Sequence, residues 1–231
     1  MSEPLRSVDR EPLRVVLVSA GTGNPSSTRL LGDRVAQKTL DLLREAEAPA
    51  TVSVIELGPL AVDIAKATVS GVNSADLQDA IERIAAADAV IAATPVYKAG
   101  ISGLFKSFVD LLDNDLLVAK PVLLAATAGS ARHALVVDEQ MRPLFAYMRA
   151  LSLPTSVFAT PEDWGAGELG ERIERAAGEL AVLLRAGVGR EIAERNWSSH
   201  QHEFGGNATR AERGAGDVDF DSDLMRLARG G

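Results

Sequence analysis

The sequence predicts an α/β protein, a three-layer doubly wound sandwich whose five-stranded parallel sheet, in the order 2-1-3-4-5, has helices on both faces. Three observations lead to this prediction. Short apolar runs alternate with amphipathic helical patterns along the chain. Strict alternation implies right-handed crossovers between parallel strands. With 231 residues, 46% of them hydrophobic, the chain is also long enough to bury the core of one such domain.

Five apolar runs are predicted as strands, because each is nearly continuous and stops at small or turn-forming residues. In chain order they cover residues 13–19, 51–57, 89–94, 122–127 and 155–159. Helices are predicted where apolar residues recur every three or four positions. These patterns cover residues 31–43, 75–87, 101–112, 137–151 and 169–183, with Ser74 or Asp76 as candidate N-cap of the second.

A change in composition near residue 187 divides the chain into three predicted parts. Residues 1–12 form an N-terminal extension, 13–187 the sheet domain, and 188–231 a helix extension that leads into a flexible, glycine-rich, acidic tail. Residues 205–231 hold six of the 20 glycines and have no repeating apolar face. The candidates for a short element that docks on a partner subunit are Phe220, Leu224, Met225 and Leu227.

The composition excludes several classes of function. The absence of cysteine excludes disulfides, thiolate metal sites, iron–sulfur clusters and cysteine nucleophiles, so any redox chemistry requires a bound cofactor. A formal net charge of −8 argues against general binding to nucleic acid or to anionic membranes. No apolar run reaches the length of a membrane span, and the first ten residues lack the apolar stretch of a signal peptide. We therefore expect a cytoplasmic protein.

The loop after the first predicted strand is suited to a phosphate. It runs from Ser19 through glycines and a proline to Ser26, Ser27, Thr28 and Arg29, which open a helix. The free N–H groups and the dipole of a helix start attract an anion, and the hydroxyls add donors. An ordinary N-cap is the alternative explanation of the same residues. The loop has no P-loop lysine, and Ser26 replaces the third glycine of a dinucleotide-binding turn, so a terminal monophosphate fits it best.

Two further loops leave neighbouring strands at the same edge of the predicted sheet. After the third strand, Pro95 and Val96 favour an extended exit, and Tyr97 offers a ring to a flat ligand. A plain turn with a surface tyrosine is the alternative. After the fourth strand, small residues imply close approach of the backbone to a ligand. These residues are Thr127, Ala128, Gly129 and Ser130.

The three histidines give little support to acid–base or metal chemistry. His133 follows the fourth strand and is a candidate catalytic acid, although a contact or structural role suits a lone histidine better. His200 and His202 form a His-x-His pair, but no carboxylate–histidine set with metal-ligand spacing surrounds them, and we expect no metal site.

The three loops together favour a planar aromatic ring carried on a phosphorylated chain. FMN fits that description better than a nucleoside triphosphate does.

Several stretches resemble the NADPH-dependent FMN reductase family, which has a flavodoxin-like fold. They are VVLVSAGTGNPSSTRLL, ADAVIAATPVYKAGISGLFKSFVDLL, AKPVLLAATAGSARHALVVDEQMRPLFAYMRAL and PEDWG, and they cover about residues 13–165. Within the family, the chain is most similar to the reductases that partner luciferase-like flavin monooxygenases. The T-P-V-Y-x-x-x-x-S-G-x-x-K motif beginning at Thr94 is typical of the family, and the A-T-A-G-S-x-R-H-A-L run is typical of the subgroup.

The resemblance implies a role for each loop. The FMN phosphate would be bound by Ser19, Ser26, Ser27 and Thr28. The ribityl chain and ring would be lined by Pro95, Val96 and Tyr97, with Lys98 at the rim, and the ring's other edge would meet Thr127, Ala128, Gly129 and Ser130. The sequence departs from the family pattern at Ser27, near which many members carry an arginine. Either Arg29 replaces it, or phosphate binding is weaker, which would suit a flavin that leaves the site.

The resemblance also implies the reaction, a hydride transfer from NADPH or NADH to FMN that needs no protein nucleophile. Reduced FMN would be delivered to a monooxygenase. A quinone or azo reductase that retains FMN, and a flavodoxin-type electron carrier, are the alternatives. The candidate partners of a 2′-phosphate on the nicotinamide nucleotide are Arg29, Lys98 and Arg132. The family resemblance suggests a homodimer or homotetramer.

Overall fold

The computed structural model describes residues 11–197. His200, His202 and the predicted tail lie outside the described residues, as do residues 1–10. The strands are β1 (Leu13–Ser19), β2 (Ala50–Glu56), β3 (Ala89–Tyr97), β4 (Gly100–Ile101), β5 (Pro121–Thr127), β6 (Leu151–Ser152) and β7 (Val157–Ala159). The helices are α1 (Ser27–Glu45), α2 (Ala61–Ser70), α3 (Ala75–Ala85), α4 (Gly103–Val109), α5 (Arg142–Tyr147), α6 (Gly167–Ala186) and α7 (Val188–Ile192).

The predicted sheet order is confirmed. The parallel strands run β2-β1-β3-β5, and β6 and β7 both pair in parallel with the free edge of β5. Alternate residues of each strand point to opposite faces. In β1, Val16 and Val18 join the core on one side of the sheet, which contains α3, α4 and α5. Val15 and Leu17 join the core on the other side, which contains α1 and α6.

The fifth position of the sheet differs from the predicted continuous strand over residues 155–159. It consists of two short strands, β6 and β7, and Pro154 lies between them. Proline has no N–H to donate to a neighbouring strand, which favours a break in the pairing with β5. Leu151 lies in β6. The prediction of one helix over residues 137–151 is therefore wrong at the C-terminal end of that helix.

Two further elements in the described part of the chain, helix α2 and strand β4, were absent from the sequence-based prediction. Helix α2 packs beside α4 and buries Ile64 and Ala67, but its outer face carries Val62 and Val69, which hide the amphipathic pattern. The short strand β4 returns antiparallel along the end of β3, so that residues 97–100 form a hairpin.

The position of α1 brings its N-terminus to the carboxyl end of β1. Gly32 makes this possible, since a Cβ at this position would lie 2.6 Å from Leu17 Cδ1. The opposite end of the domain carries α7, which follows Gly187 in the left-handed conformation (φ 65°) that ends α6. The predicted domain boundary at residue 187 stays a prediction. In the described part of the chain, no helix is long and apolar enough to cross a membrane.

Lys120 is a partly buried lysine that caps α3. Its Nζ donates hydrogen bonds to the carbonyl oxygens of Ile84 (2.6 Å) and Ala85 (2.9 Å). Burial is the largest influence on this ammonium group and lowers its pKa from 10.5 to about 8, although the nearby charge of Asp88 acts in the opposite direction.

We expect Lys120 to give the folding stability a distinct alkaline pH dependence. Between pH 8 and 10.5 the unfolded state binds more protons at this lysine than the folded state does, so its contribution to the free energy of unfolding rises with pH. The measurement is the difference in unfolding free energy between the wild type and Lys120→Met, by urea titration across this range. The difference should shift in favour of the wild type as pH rises, and a flat difference would contradict the lowered pKa. Lys66→Met, on the exposed side of α2, is the control for loss of a surface lysine.

Candidate active site

The carboxyl ends of β1, β3, β5 and β7 border one cleft of about 430 Å³. Nine of the residues predicted for a flavin site line it: Ser26, Ser27, Thr28, Pro95, Val96, Tyr97, Thr127, Ala128 and Gly129. Ser19, Lys98, Ser130 and His133 do not line it. A volume of this size lies within the range of small-molecule sites, and ligands of doubly wound sheets bind at this edge.

The loop between β1 and α1 forms the first wall. Ser26 is the N-cap of α1, and its Oγ accepts a hydrogen bond from the backbone N–H of Arg29 (3.1 Å). The N–H groups of Ser27 and Thr28 belong to the first turn and so have no partner within the helix. No acidic residue occupies this turn. The helix start therefore presents uncompensated donors and a positive dipole end to the cleft.

Gly21 closes this wall from the other side. A Cβ at Gly21 would overlap Ser26 Oγ and lie 3.0 Å from Thr28 Cβ. Only a residue without a side chain lets the loop pass so close to the helix start, which shapes a cradle of backbone and hydroxyl groups around the mouth of α1.

Two of the predicted phosphate contacts are placed elsewhere. Ser19 is fully buried beneath the loop, where its Oγ accepts a hydrogen bond from the N–H of Gly21 (3.4 Å), so it supports the loop and does not face the cleft. The guanidinium of Arg29 pairs with Asp33 (2.8 Å) and Glu56 (3.1 Å). The hydrogen bond to Asp33 is the main cause of a raised pKa of Arg29. In this arrangement the Arg29 guanidinium is held by two carboxylates and does not line the cleft, and its role as a phosphate ligand stays a prediction.

A buried pair of hydroxyls joins the first wall to the third. Thr28 Oγ1 and Thr127 Oγ1 lie 2.6 Å apart, and both residues are buried. The hydrogen bond connects the start of α1 with the end of β5, which are 99 positions apart in sequence. The two side chains thus join the walls of the cleft, and either hydroxyl can be the donor of the bond between them.

We expect the single variants Thr28→Val and Thr127→Val each to lower the free energy of unfolding by about 1–3 kcal/mol, because each leaves the other hydroxyl buried without its partner. The double variant should be less destabilised than the sum of the two, since it leaves no orphaned hydroxyl. Urea denaturation of all four proteins measures the coupling. Additive losses would show that the two hydroxyls do not depend on each other.

The second wall is the hairpin formed by the end of β3 and β4. Pro95 is buried and Val96 half-buried, while Tyr97 is 53% exposed at the edge of the cleft. Lys98 and Ala99 form the two-residue tip with φ angles of 51° and 64°. A left-handed conformation costs a non-glycine residue about 1–2 kcal/mol. The sequence analysis predicts an extended exit from the strand at this point, with a plain turn as the alternative, and does not predict the hairpin, whose tip lacks the Asn-Gly or Asp-Gly signal.

Gln140 is a contact of this hairpin that sequence reasoning missed. Its Oε1 accepts a hydrogen bond from the N–H of Ile101 (3.1 Å), and its Nε2 donates to the carbonyl of Ala99 (3.2 Å). Gln140 belongs to the wide turn Val137–Met141, which follows β5. No sequence signal marks an amide 39 positions away as a partner of the tip.

The third wall follows β5. Thr127, Ala128 and Gly129 line the cleft, and the N–H of Ala128 donates to the carbonyl of Ala159 in β7 (3.1 Å). That N–H is therefore occupied and cannot stabilise charge on a ligand. Ser130 is extended and leads into the single turn Ala131–His133. Since that turn lies outside the cleft lining, the structure gives no support to His133 as a catalytic acid.

A fourth wall, after β7, contains an aromatic ring absent from the predicted site. Thr160, Pro161 and Trp164 line the cleft, and the guanidinium of Arg34 lies 5.1 Å from the centre of the Trp164 ring. The Asp163 carboxylate accepts hydrogen bonds from the N–H (2.7 Å) and hydroxyl (2.8 Å) of Thr160. These bonds lower the pKa of Asp163 and fix the turn that presents Trp164. The sequence contains a signal for this aromatic wall, because PEDWG holds one of only two tryptophans in the chain.

A larger hollow, of about 930 Å³, lies at the opposite edge of the sheet. It is bordered by charges of both signs, including Arg14, Asp88 and Arg190, and Arg190 pairs with Asp88 at 2.8 Å. It adjoins Glu11, where the described residues begin. Because it lies at the amino ends of the strands, it is not where a doubly wound sheet binds its ligand. Over residues 11–197, no group of three or more His, Asp or Glu side chains is placed to hold a metal.

The residues of the cleft fit an FMN-sized molecule. The start of α1 and the nearby hydroxyls suit its phosphate. The missing side chain at Gly21 leaves space for the ligand to approach the backbone closely. Tyr97 and Trp164 supply aromatic surface on two sides of the cleft. Among residues 11–197, no charged side chain lines the cleft. The arrangement can bind and orient a flat, phosphorylated ring, but it offers no acid–base pair.

Comparison with curated proteins agrees with this chemistry. The NADH-dependent FMN reductase SfnF of Pseudomonas fluorescens is 40% identical over 180 residues, which are 75% of this chain and 92% of that protein. An FMN reductase (NADPH) of Pseudomonas aeruginosa is 39% identical over 178 residues, 75% of this chain and 93% of the relative.

Solved structures and a family model extend the similarity. An oxidoreductase from Corynebacterium diphtheriae aligns with a TM-score of 0.74 and 43% identity, over 76% of this chain and 98% of that one. A flavodoxin, WrbA-like protein from Agrobacterium tumefaciens aligns with a TM-score of 0.54 and 21% identity, over 76% and 99%, which shows the flavodoxin-like fold alone. Residues 13–165, which contain all the strands of the described range and all four walls of the cleft, match the model of the NADPH-dependent FMN reductases. The chain belongs to the NADPH-dependent FMN reductase family.

Proposed function

We propose that this protein is an NAD(P)H:FMN oxidoreductase that transfers a hydride from the nicotinamide ring to FMN and releases the reduced flavin. The observation that carries the proposal is the cleft at the carboxyl ends of β1, β3 and β5, where a helix start and a tyrosine-bearing hairpin face each other. Bound FMN would supply the hydride acceptor. The protein itself supplies no nucleophile.

The first task of the chain is to bind and orient the flavin. The N–H groups of Ser27 and Thr28 and the hydroxyls of Ser26 and Ser27 would hold the phosphate at the start of α1. Pro95, Val96 and Tyr97 would pack along the ribityl chain and one side of the ring. Such fixed positioning converts the meeting of two bound rings into an effectively unimolecular step.

The second task is to shield the ring and to accommodate charge. Thr127, Ala128 and Gly129 would meet the other edge of the ring, and Trp164 would exclude water from that side. The N–H of Gly129 is the candidate donor for negative charge on the ring, because the N–H of Ala128 is already bonded to Ala159. Lys98, Ser130 and His133 would contribute at most at the rim, and Ser19 acts beneath the loop.

FMN is proposed as an exchangeable substrate. The phosphate would be held by neutral groups and a helix dipole, since no cationic side chain lines the described cleft and Arg29 is paired with Asp33 and Glu56. A site that lacks a direct counter-ion favours release, which suits delivery of reduced FMN to a flavin-dependent monooxygenase. A quinone or azo reductase would instead retain the flavin.

Other parts of the proposal rest on the sequence and the family resemblance. A homodimer or homotetramer and a cytoplasmic location stay predictions. The proposal includes both NADPH and NADH as hydride donors, because the curated relatives include both an NADH-dependent and an NADPH-dependent protein. With Arg29 paired elsewhere, Lys98 and Arg132, both exposed, are the remaining candidates for a 2′-phosphate contact.

The test is a steady-state assay of NADH and NADPH oxidation with FMN, FAD or riboflavin as the varied acceptor. We expect FMN-dependent oxidation, a weaker response to riboflavin because it lacks the phosphate, and loss of the flavin on a desalting column. A yellow protein after desalting would favour the quinone or azo reductase alternative. Slow reduction with FMN present would favour an electron carrier, and no FMN-dependent oxidation with either nucleotide would refute the proposal.

A further inference from the structure

We infer that Gln140 is a positioning residue for the flavin reaction: its side-chain amide holds the strained tip of the hairpin and thereby fixes Tyr97 at the cleft. The inference rests on the proposed function, since it assigns Gln140 a role in binding FMN at that site.

The first step is the conformation of the tip. Lys98 and Ala99 both have positive φ angles, as a two-residue hairpin with the right-handed twist of the flanking strands requires. Asn-Gly and Gly-Gly adopt this turn readily, but lysine and alanine do not. Strained positions of this kind persist only where neighbouring groups hold them, and they are concentrated at ligand sites.

The second step is the group that holds the tip. The two hydrogen bonds of the Gln140 amide reach both sides of it, one to the carbonyl of Ala99 and one to the N–H of Ile101. Between these residues, Gly100 faces the amide, and a Cβ there would lie 3.1 Å from Gln140 Oε1. Because Gly100 has no side chain, the Gln140 amide has room to form both hydrogen bonds.

The third step is the rigidity of the base from which Gln140 extends. Its neighbours Val137 and Met141 are fully buried in the core between the sheet and α5. Asp138 of the same turn pairs with Arg142, whose guanidinium also donates to the carbonyl of Leu153 (2.7 Å). Gln140 is exposed, but the turn from which its side chain extends is therefore fixed in place.

The tip and the root of the hairpin are held by different hydrogen bonds. The root has its own support, because the N–H of Ser102 donates to Thr94 Oγ1 (3.2 Å) and both residues are buried. Within the described range, no other side chain hydrogen-bonds to Ala99 or Ile101. Loss of the Gln140 amide should therefore loosen the tip, and with it the adjacent Tyr97, without unfolding the hairpin.

The experiment compares Gln140→Met with the wild type in the FMN-dependent oxidation assay and in an equilibrium FMN titration by fluorescence quenching. For Gln140→Met we expect the KM and Kd for FMN to rise about tenfold, with kcat within about twofold of wild type, since the two Gln140 hydrogen bonds act on flavin binding. Gln140→Glu, which retains an acceptor for Ile101 but loses the donor to Ala99, should lie between them. The control is Gln37→Met, which removes a single surface hydrogen bond to Asp41 on α1.

A rescue variant separates positioning from a general structural role. Glycine at residue 99 adopts a positive φ without strain, so Gln140→Met/Ala99→Gly should recover most of the lost FMN affinity. Wild-type KM and Kd in Gln140→Met would overturn the inference, and so would a rise that Ala99→Gly fails to rescue. Absence of FMN-dependent oxidation and FMN binding in the wild type itself would instead refute the proposed function, and the inference with it.

Discussion

Replacement of Gly21 by alanine is expected to raise the Kd for FMN about a hundredfold or more, which corresponds to about 2.7 kcal/mol. A Cβ at Gly21 would overlap Ser26 Oγ, and Thr28 Cβ would be 3.0 Å away. Relief of this overlap requires the Ser26 hydroxyl to rotate away, and the contacts with Thr28 Cβ (3.0 Å) and Ser26 Cβ (3.2 Å) then require a shift of the loop or of the start of α1. The rotation breaks the N-cap bond that the Arg29 N–H donates to Ser26 Oγ, and the backbone shift displaces the N–H groups proposed to hold the phosphate.

The measurement is an FMN titration of Gly21→Ala, with circular dichroism to establish that the variant is folded. Gly58→Ala is the matched control, because Gly58 follows β2 and a Cβ there meets nothing within 4 Å. Gly23→Ala should have an intermediate effect, since its Cβ would lie 3.2 Å from the carbonyl oxygen of Pro25. Wild-type affinity in Gly21→Ala would place the phosphate outside this loop.

The sequence was informative wherever local patterns decide the structure. Apolar runs in β1, β3 and β5 identify buried strands, because both faces of these strands are covered. Ser26 is recognisable as an N-cap from the Pro-Ser-Ser-Thr run. Residue type and order alone therefore predicted most of the loops that line the cleft, and their role in binding a flavin stays a prediction.

Contacts between distant residues were not predictable in the same way. Arg29 was a reasonable phosphate ligand by position, but its partner Glu56 lies at the end of β2, and only the sheet order brings them together. Ser19 was correctly predicted as the last residue of the first strand, but its full burial, which keeps it out of the cleft lining, was not predictable from its position. Gln140 has no recognisable motif, because its partners are the backbone groups of a hairpin whose tip carries no glycine.

The largest expected loss of stability comes from Phe105→Ala. Phe105 is 1% exposed, and its ring lies 6.3 Å from that of Phe145, which ties α4 to α5 beneath the hairpin. Its backbone N–H also donates to Ser102 Oγ (3.2 Å), the N-cap of α4. Removal of a buried phenyl ring costs about 3–5 kcal/mol, from lost burial and from the cavity left behind.

Urea denaturation should show this loss as a lower free energy of unfolding, and the melting temperature should fall by roughly 6–20 °C for a domain of this size. Phe105→Leu is the matched control: it retains most of the apolar volume and the helix propensity, so its loss should be much smaller. The N-cap bond uses the backbone of residue 105 and is available to both variants, so the difference between them reports the packing of the ring. A loss below about 1 kcal/mol for Phe105→Ala would mean that α5 moves inward to fill the space, since the measured cost depends on how well a site collapses. In that case the support of the hairpin by α4 would have to come from the Ser102–Thr94 hydrogen bond rather than from the aromatic contact.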